Sequence, residues 1–203
     1  MRPLAALAAA VVLLAGCSTD EPAVAATPEA VVTGWLDALD GDADPSEFVV
    51  AGQLPLLAAI ELPASADLVL AEGLSAATAA AYWDSFSDGI EAVAGATPSQ
   101  LEVGGAAVLS VDGVGHGFVE VAGEGGATVV VVRGTEDGLI DMIATVGPKL
   151  IRPLANLVDW VGLDAIDGPA IAASLRAGLS DPGLDLPPEF YGEVQDLIAL
   201  IDR

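Results

Sequence analysis

Chemistry in this chain must come from few side chains: its 203 residues hold one cysteine, one histidine, six bases and thirty acids. Asp141 is the most awkwardly placed acid. In a strand expected over residues 139–145 it shares a face with Leu139 and Ile143, while Ile140, Met142 and Ala144 line the other. With both faces apolar, the strand is expected to be buried on both sides. Pairing across the loop 134–138 sets Arg133 opposite Leu139 and Val131 opposite Asp141, so no cross-strand base meets the carboxylate. A buried, unpartnered carboxylate is costly, so a polar pocket is expected around it. Asp141 is therefore a candidate ligand-orienting acid or general base, with His116 as its first companion. The competing readings put Asp141 in water near a rim or under a folded-back Arg152, and His116 at the surface.

The other constellations fall short of a site. Asp40, Asp42 and Asp44 alternate like the first ligands of a calcium loop, but Pro45 and Ala51 stand where the turn glycine and the bidentate glutamate belong. A solvated acidic turn is the better reading. Gly113, Gly115 and Gly117 flank His116 without dinucleotide-binding spacing, and glycines on alternate strand positions mark a bend or bulge. Neither Gly73-Leu74-Ser75-Ala76-Ala77 nor Gly178-Leu179-Ser180-Asp181-Pro182 completes a nucleophile elbow. Lys149 and Arg152, three apart, balance nearby acids. No cofactor or metal is expected, and whether the protein is an enzyme stays open, with the balance against it.

Cys17 is different. Arg2 precedes an apolar stretch over residues 4–15, too short for a bilayer-spanning helix of about 20 residues but suited to a secretory signal. The stretch ends in Leu14-Ala15-Gly16-Cys17, which resembles the lipobox of bacterial lipoprotein signal peptides. The resemblance implies removal of residues 1–16 and a diacylglycerol on the Cys17 sulfur, carrying acyl chains such as palmitate. Two chains hold a protein on a membrane where one is marginal. Residues 17–26 read as a tether reaching at most about 33 Å. The expected location is extracytoplasmic, lipid-anchored at the cell membrane.

The formal net charge of −24 argues against nucleic acid as a partner, because phosphate binding needs a basic stripe. One cysteine excludes a disulfide framework and a cysteine-built zinc site. The 38 alanines and nine aromatics describe a helix-rich, alanine-packed chain.

The elements that must position these residues follow from capping and periodicity. Thr27-Pro28-Glu29 opens an amphipathic helix whose Val31, Trp35 and Leu39 share a side, ending near Gly41. Helix is expected to resume over residues 46–57 with Pro55 bending or ending it, a short strand over 66–71, and helix over 75–93. Strands are expected over 101–111, 114–122, 128–133 and 139–145. They are separated by hairpin chemistry at Asp112-Gly113, at 123–126 and at 134–138. After Pro148 come a helix with Leu150, Leu154, Leu157, Val158 and Val161 on one side, a short helix over 168–177, and a last helix beyond a Pro/Gly-rich link at 181–188.

Helices, an antiparallel meander and more helices make an α+β fold. The run from Thr27 through Trp35-Leu36-Asp37-Ala38-Leu39-Asp40-Gly41-Asp42, with Asp137-Gly138-Leu139-Ile140-Asp141-Met142, resembles the first helix and closing hairpin of NTF2-like domains. The resemblance spans residues 27–146; Leu139 stands where the family often shows tryptophan, and the C-terminal helices are extra. It implies a curved sheet wrapped on helices around a pocket. Four parts follow: a signal peptide over 1–16, a tether over 17–26, an NTF2-like domain over 27–147 and a helical extension over 148–203. The expected role is non-enzymatic, holding an apolar small molecule or an envelope protein at the cell surface. The alternatives are an NTF2-like isomerase or cyclase and an envelope scaffold.

Overall fold

A computed structural model describes residues 26–134 and 138–203. The expected signal peptide, Cys17 and most of the expected tether lie outside the described residues, as does the centre of the loop 134–138.

Helix α1 (Pro28–Asp40) starts as its first residues dictate. The Thr27 hydroxyl accepts a hydrogen bond from the Ala30 amide at 3.3 Å, and Pro28 occupies a position whose N–H would go unused. Its apolar face buries Val31, Val32, Trp35 and Leu36, each contributing about 1.5–3 kcal/mol. A 3-10 turn (Pro45–Phe48) follows, capped by Asp44, then α2 (Gln53–Glu61), α3 (Ala66–Glu72) and α4 (Ala76–Ala94). Two expectations change here. Pro55 sits in the first turn of α2, where proline is tolerated, so helix begins near it rather than ending there. Residues 66–71 are helix rather than strand, because Ala66 and Val69 are buried at helical spacing while Leu68 faces out.

The sheet is an open antiparallel meander in sequence order: β1 (Glu102–Val111), β2 (Val114–Gly123), β3 (Gly126–Arg133) and β4 (Leu139–Ile140). Asp112 and Gly113 both take positive φ, 52° and 81°, the geometry of the two-residue hairpin that this dipeptide favours. The β1–β2 register slips between Val103 and Ala106, and the Ala106 amide there donates to a Glu29 carboxylate oxygen at 2.9 Å. A side chain of α1 thus satisfies an amide at the irregularity. Gly117 has its own reason for being glycine: a Cβ there would lie 2.6 Å from the Pro28 ring, so α1 seats against β2 only because that space is empty.

Beyond β4 come α5 (Met142–Val146), α6 (Ile151–Val161), α7 (Gly168–Leu179) and α8 (Pro188–Ile201). The sheet has helices on both faces. Val119, Val121, Val130 and Val132 belong to the large core cluster with α1, whereas Phe118 and Val131 group with Ala144 and Ala177 of α5 and α7. Leu154, Leu175, Val194 and Ile201 of the C-terminal helices join the same large core as Trp35 and Val32. The fold is α+β, with helices before and after the antiparallel sheet.

The last strand is the main correction. Arg133 pairs with Leu139 as the loop length demands, and the Asp141 amide donates to the Val131 carbonyl at 2.8 Å. The strand then stops, because the Asp141 side chain caps α5 by accepting from the Ala144 amide at 2.8 Å. Residues 142–146 are helix, not strand.

Candidate functional site

The fold carries Asp141 into the interior. It is fully buried, and each of its carboxylate oxygens has a donor. Gln53 Nε2 at the start of α2 donates to Oδ1 at 2.8 Å, the Ala144 amide donates to the same oxygen, and Ser174 Oγ of α7 donates to Oδ2 at 2.7 Å. Gln53 Nε2 also lies 3.2 Å from Ser174 Oγ, and Gln53 Oε1 accepts from the Ile143 amide at 3.2 Å. Thr145 closes the far side by donating to the Asp141 carbonyl at 2.8 Å and accepting from the Val131 amide at 3.0 Å. This is a self-satisfied network joining three helices to the sheet. Asp141 is neither solvated nor paired with Arg152, whose guanidinium instead binds Glu193 at 2.8 Å and lies 4.6 Å from the Phe190 ring centroid.

His116 is likewise not a surface residue. It is 4% exposed on β2, and its Nδ1 sits 3.0 Å from the Val114 carbonyl. With Arg133, Asp141 and Ser174 it borders a crevice of about 20 Å3, a volume on the scale of one water molecule. The two residues singled out from sequence therefore meet at one crevice, but no hydrogen bond joins them among the described residues. Gln53 and Ser174, the partners of Asp141, carry no recognisable motif.

Two aspartates of the acidic turn are engaged by backbone amides. Asp40 accepts from the Ser99 amide at 2.8 Å and Asp44 caps the 3-10 turn through the Ser46 amide at 2.9 Å. Among the described residues no group of three or more His, Cys, Asp or Glu side chains is arranged to hold a metal ion. Lys149 reaches Thr128 Oγ1 at 3.5 Å.

A much roomier site lies elsewhere. A cavity of about 480 Å3 lies between α1 and α4 on one side and the β2–β3 hairpin on the other. Trp35, Phe86 and Ile90 form the helical wall and Val121 and Val130 the sheet wall. Glu61 is the one charged side chain along it among the described residues. Small residues border the opening, Gly89, Ala94, Gly126 and Ala127 among them, and a Cβ at Gly89 or Gly126 would meet nothing within 4 Å. At the hairpin tip glycine is obligatory, since a Cβ on Gly125 would strike the Val93 carbonyl and a Cβ on Gly123 would lie 2.9 Å from Leu101.

An aromatic cluster stiffens the helical wall. Trp35 sits 6.3 Å from Trp83, edge to face, and 5.8 Å from Phe86, centroid to centroid. Tyr82 adds contacts to Trp83 and Phe86, and burial, helped by the charge of Glu61, pushes its hydroxyl well above the usual tyrosine range. The tryptophans differ in one respect. Trp83 Nε1 donates to Ser46 Oγ at 2.9 Å, whereas Trp35 Nε1, equally buried, has no acceptor among the described residues.

Size, shape and lining match a small-molecule site, typically about 300–1,000 Å3 and mostly apolar. No family model, curated protein sequence or solved structure matches this chain.

Proposed function

We propose that the protein is a lipid-anchored extracytoplasmic bacterial lipoprotein whose α+β domain is a non-enzymatic binder of an apolar small molecule. The observation that carries this reading is the cavity between α1, α4 and the β2–β3 hairpin, walled by Trp35, Phe86, Ile90, Val121 and Val130. A pocket enzyme of the NTF2-like kind calls for Asp, His or Tyr side chains converging where a substrate sits. Neither Asp141 nor His116 lines this cavity, which favours carriage over catalysis. The cavity lies between helices and the antiparallel meander. The lipobox at Cys17 supplies the anchor, and among the described residues no helix is long and apolar enough to cross a membrane.

Cavity and anchor are tested separately. Binding of the neutral fluorophore N-phenyl-1-naphthylamine to the full chain carrying Cys17→Ser should be saturable and weakened by Ile90→Asp or Val121→Asp, with retained circular dichroism. Binding indifferent to both would remove the cavity as the site. For the anchor, expression in a bacterium should put the unsubstituted protein in the membrane fraction and Cys17→Ser in the soluble one. A variant that stays with membranes through a high-salt wash would remove the lipid anchor.

A second reading has its own observation. Trp160 at the end of α6 is 70% exposed, and Leu68 and Leu163 are also exposed, a distribution that suits docking of an envelope protein partner.

A further inference from the structure

We infer that the protein has a second ligand site, which takes a small organic carboxylate with an apolar body and holds its carboxylate on the Arg133 guanidinium. The site is a cavity of about 320 Å3 between the start of α2, the start of α7 and the end of β3, and it shares no lining residue with the carrier cavity. Neither site depends on the other.

Leu56, Leu70, Ile166 and Ile171 give the cavity carbon walls, and its polar side chains are Gln53, Ser174, Asp167 and Arg133. The first two are spent on the Asp141 network. Asp167 stands exposed and caps α7 by accepting from the Ala170 amide at 3.0 Å. Arg133 is the group with capacity left. It is part-buried, and it shares a sheet face with Val131, which groups with Ala144 and Ala177 of α5 and α7, so its side chain projects toward those helices. Among the described residues no acid lies within 4 Å of its guanidinium and no acceptor takes its N–H groups, in a chain of thirty acids. The neighbouring acids are engaged elsewhere, Asp112 by Arg176 and Asp141 by its three donors. Nor are the Arg133 nitrogens sealed in, since Trp35 Nε1 is the one buried side-chain nitrogen or oxygen without a partner among the described residues. Arg133 also borders the crevice beside His116, but about 20 Å3 holds no more than a water, so only the larger space admits an organic molecule. A guanidinium fork matches the planar geometry of a carboxylate. With one base and Asp167 in the lining, a dianion would keep uncompensated charge, so the ligand carries a single negative charge. The start of α2, where Gly52 offers no capping side chain, adds its positive dipole end.

Three probes with one body and different heads test the site: 3-phenylpropionate, 3-phenylpropanamide and 3-phenylpropylamine. Each is titrated at neutral pH into the full chain carrying Cys17→Ser and followed by NMR. The carboxylate should bind about ten- to a hundredfold more tightly than the amide, the scale of hydrogen bonds to a charged group, and more tightly than the amine. The net charge of −24 favours cations over the surface at large, so a preference for the carboxylate must come from a local base. Arg133→Gln should bring the carboxylate down to the level of the amide and leave the amide within twofold. It should leave N-phenyl-1-naphthylamine binding in the larger cavity unchanged. With Arg133 in place, its Nε–H resonance should move with the carboxylate and not with the amide, a readout that stands even if Arg133→Gln fails to fold. Equal binding of carboxylate and amide, tightest binding of the amine, or an unmoved Arg133 resonance would overturn the site, as would failure of all three to bind. None of these results bears on the carrier reading, which the naphthylamine titration decides by itself.

Discussion

Ser174 of α7 donates a 2.7 Å hydrogen bond to Oδ2 of Asp141, the residue that ends β4 and caps α5, so one buried carboxylate ties a C-terminal helix to the end of the sheet. Gln53 and the Ala144 amide complete the set on the other oxygen. The arrangement makes Asp141 a structural centre, and substitutions there should register as stability.

Asp141→Ala leaves Gln53, Ser174 and the Ala144 amide without their acceptor and should cost about 3–5 kcal/mol, because each orphaned buried donor costs roughly 1–3 kcal/mol. Ser174→Ala, which removes the donor to Asp141 Oδ2 and the acceptor of one Gln53 N–H, should cost about 1.5–3 kcal/mol. Asp141→Asn keeps one acceptor oxygen and should fall below Asp141→Ala. Urea unfolding of the three variants gives the order. Variants within 0.5 kcal/mol of the parent would mean that water has access to the carboxylate.

Two helical glycines should respond in opposite directions. On α7 a Cβ at Gly178 would strike the Ala144 carbonyl and lie 2.8 Å from the Pro148 ring, so Gly178→Ala should destabilise by about 1–3 kcal/mol. On α8 nothing lies within 4 Å of a Cβ at Gly192. Gly192→Ala should stabilise by about 0.5–1 kcal/mol, the usual helical preference for alanine. Thermal melts of the two single variants decide the matter, and the same sign for both would refute the packing of α7 on α5.

Acid should expose two paired carboxylates. Its own amide, the Ala106 amide and the Thr27 hydroxyl hold Glu29 below its ordinary 4.5. Burial pushes Asp40 up, but hydrogen bonds from Ser99 and Thr97 outweigh it and hold the group below 3.8. A lowered folded value contributes stability above the unfolded value and loses it as pH falls through the folded one. The gap in melting temperature between the parent and Glu29→Gln/Asp40→Asn should therefore be full above pH 5 and close as pH drops below the ordinary values. Both groups lie near water, so the gap should correspond to less than about 1 kcal/mol each. A gap that widens on acidification would contradict the assignment.

Salt should stabilise the protein. The ion pairs found among the described residues are Arg152–Glu193, Arg176–Asp112 and Arg176–Asp202, against thirty acids in the chain. Most of the acidic charge is thus uncompensated and repels itself. Raising sodium chloride from 0.01 to 0.1 M shortens the screening length from about 30 to about 10 Å, and the melting temperature should rise with it. A flat profile would mean that the acids are too dispersed to repel.

Local grammar was legible in the residues themselves. Thr27-Pro28-Glu29 opens α1 and Asp112-Gly113 turns the first hairpin because capping and positive φ depend on neighbours in the chain. The Arg133–Leu139 pairing followed from loop length alone. Asp141 shows where that grammar becomes ambiguous. Ile140, Met142, Ile143 and Thr145 suit a strand, yet aspartate is also a strong helix cap, and only the helices around it decide between the two. Its side-chain donors come from 88 and 33 residues away in sequence, so no spacing rule reaches them. The cavity is of the same kind. Gly89 on α4 and Gly123 to Gly126 at the hairpin are unremarkable where they stand, and become a void only when packing sets them opposite Trp35. Caps and tight turns are chosen by adjacent residues, so the chain's own order determined them. Cavities and buried polar partners are made by residues distant in sequence, so tertiary structure alone decided them.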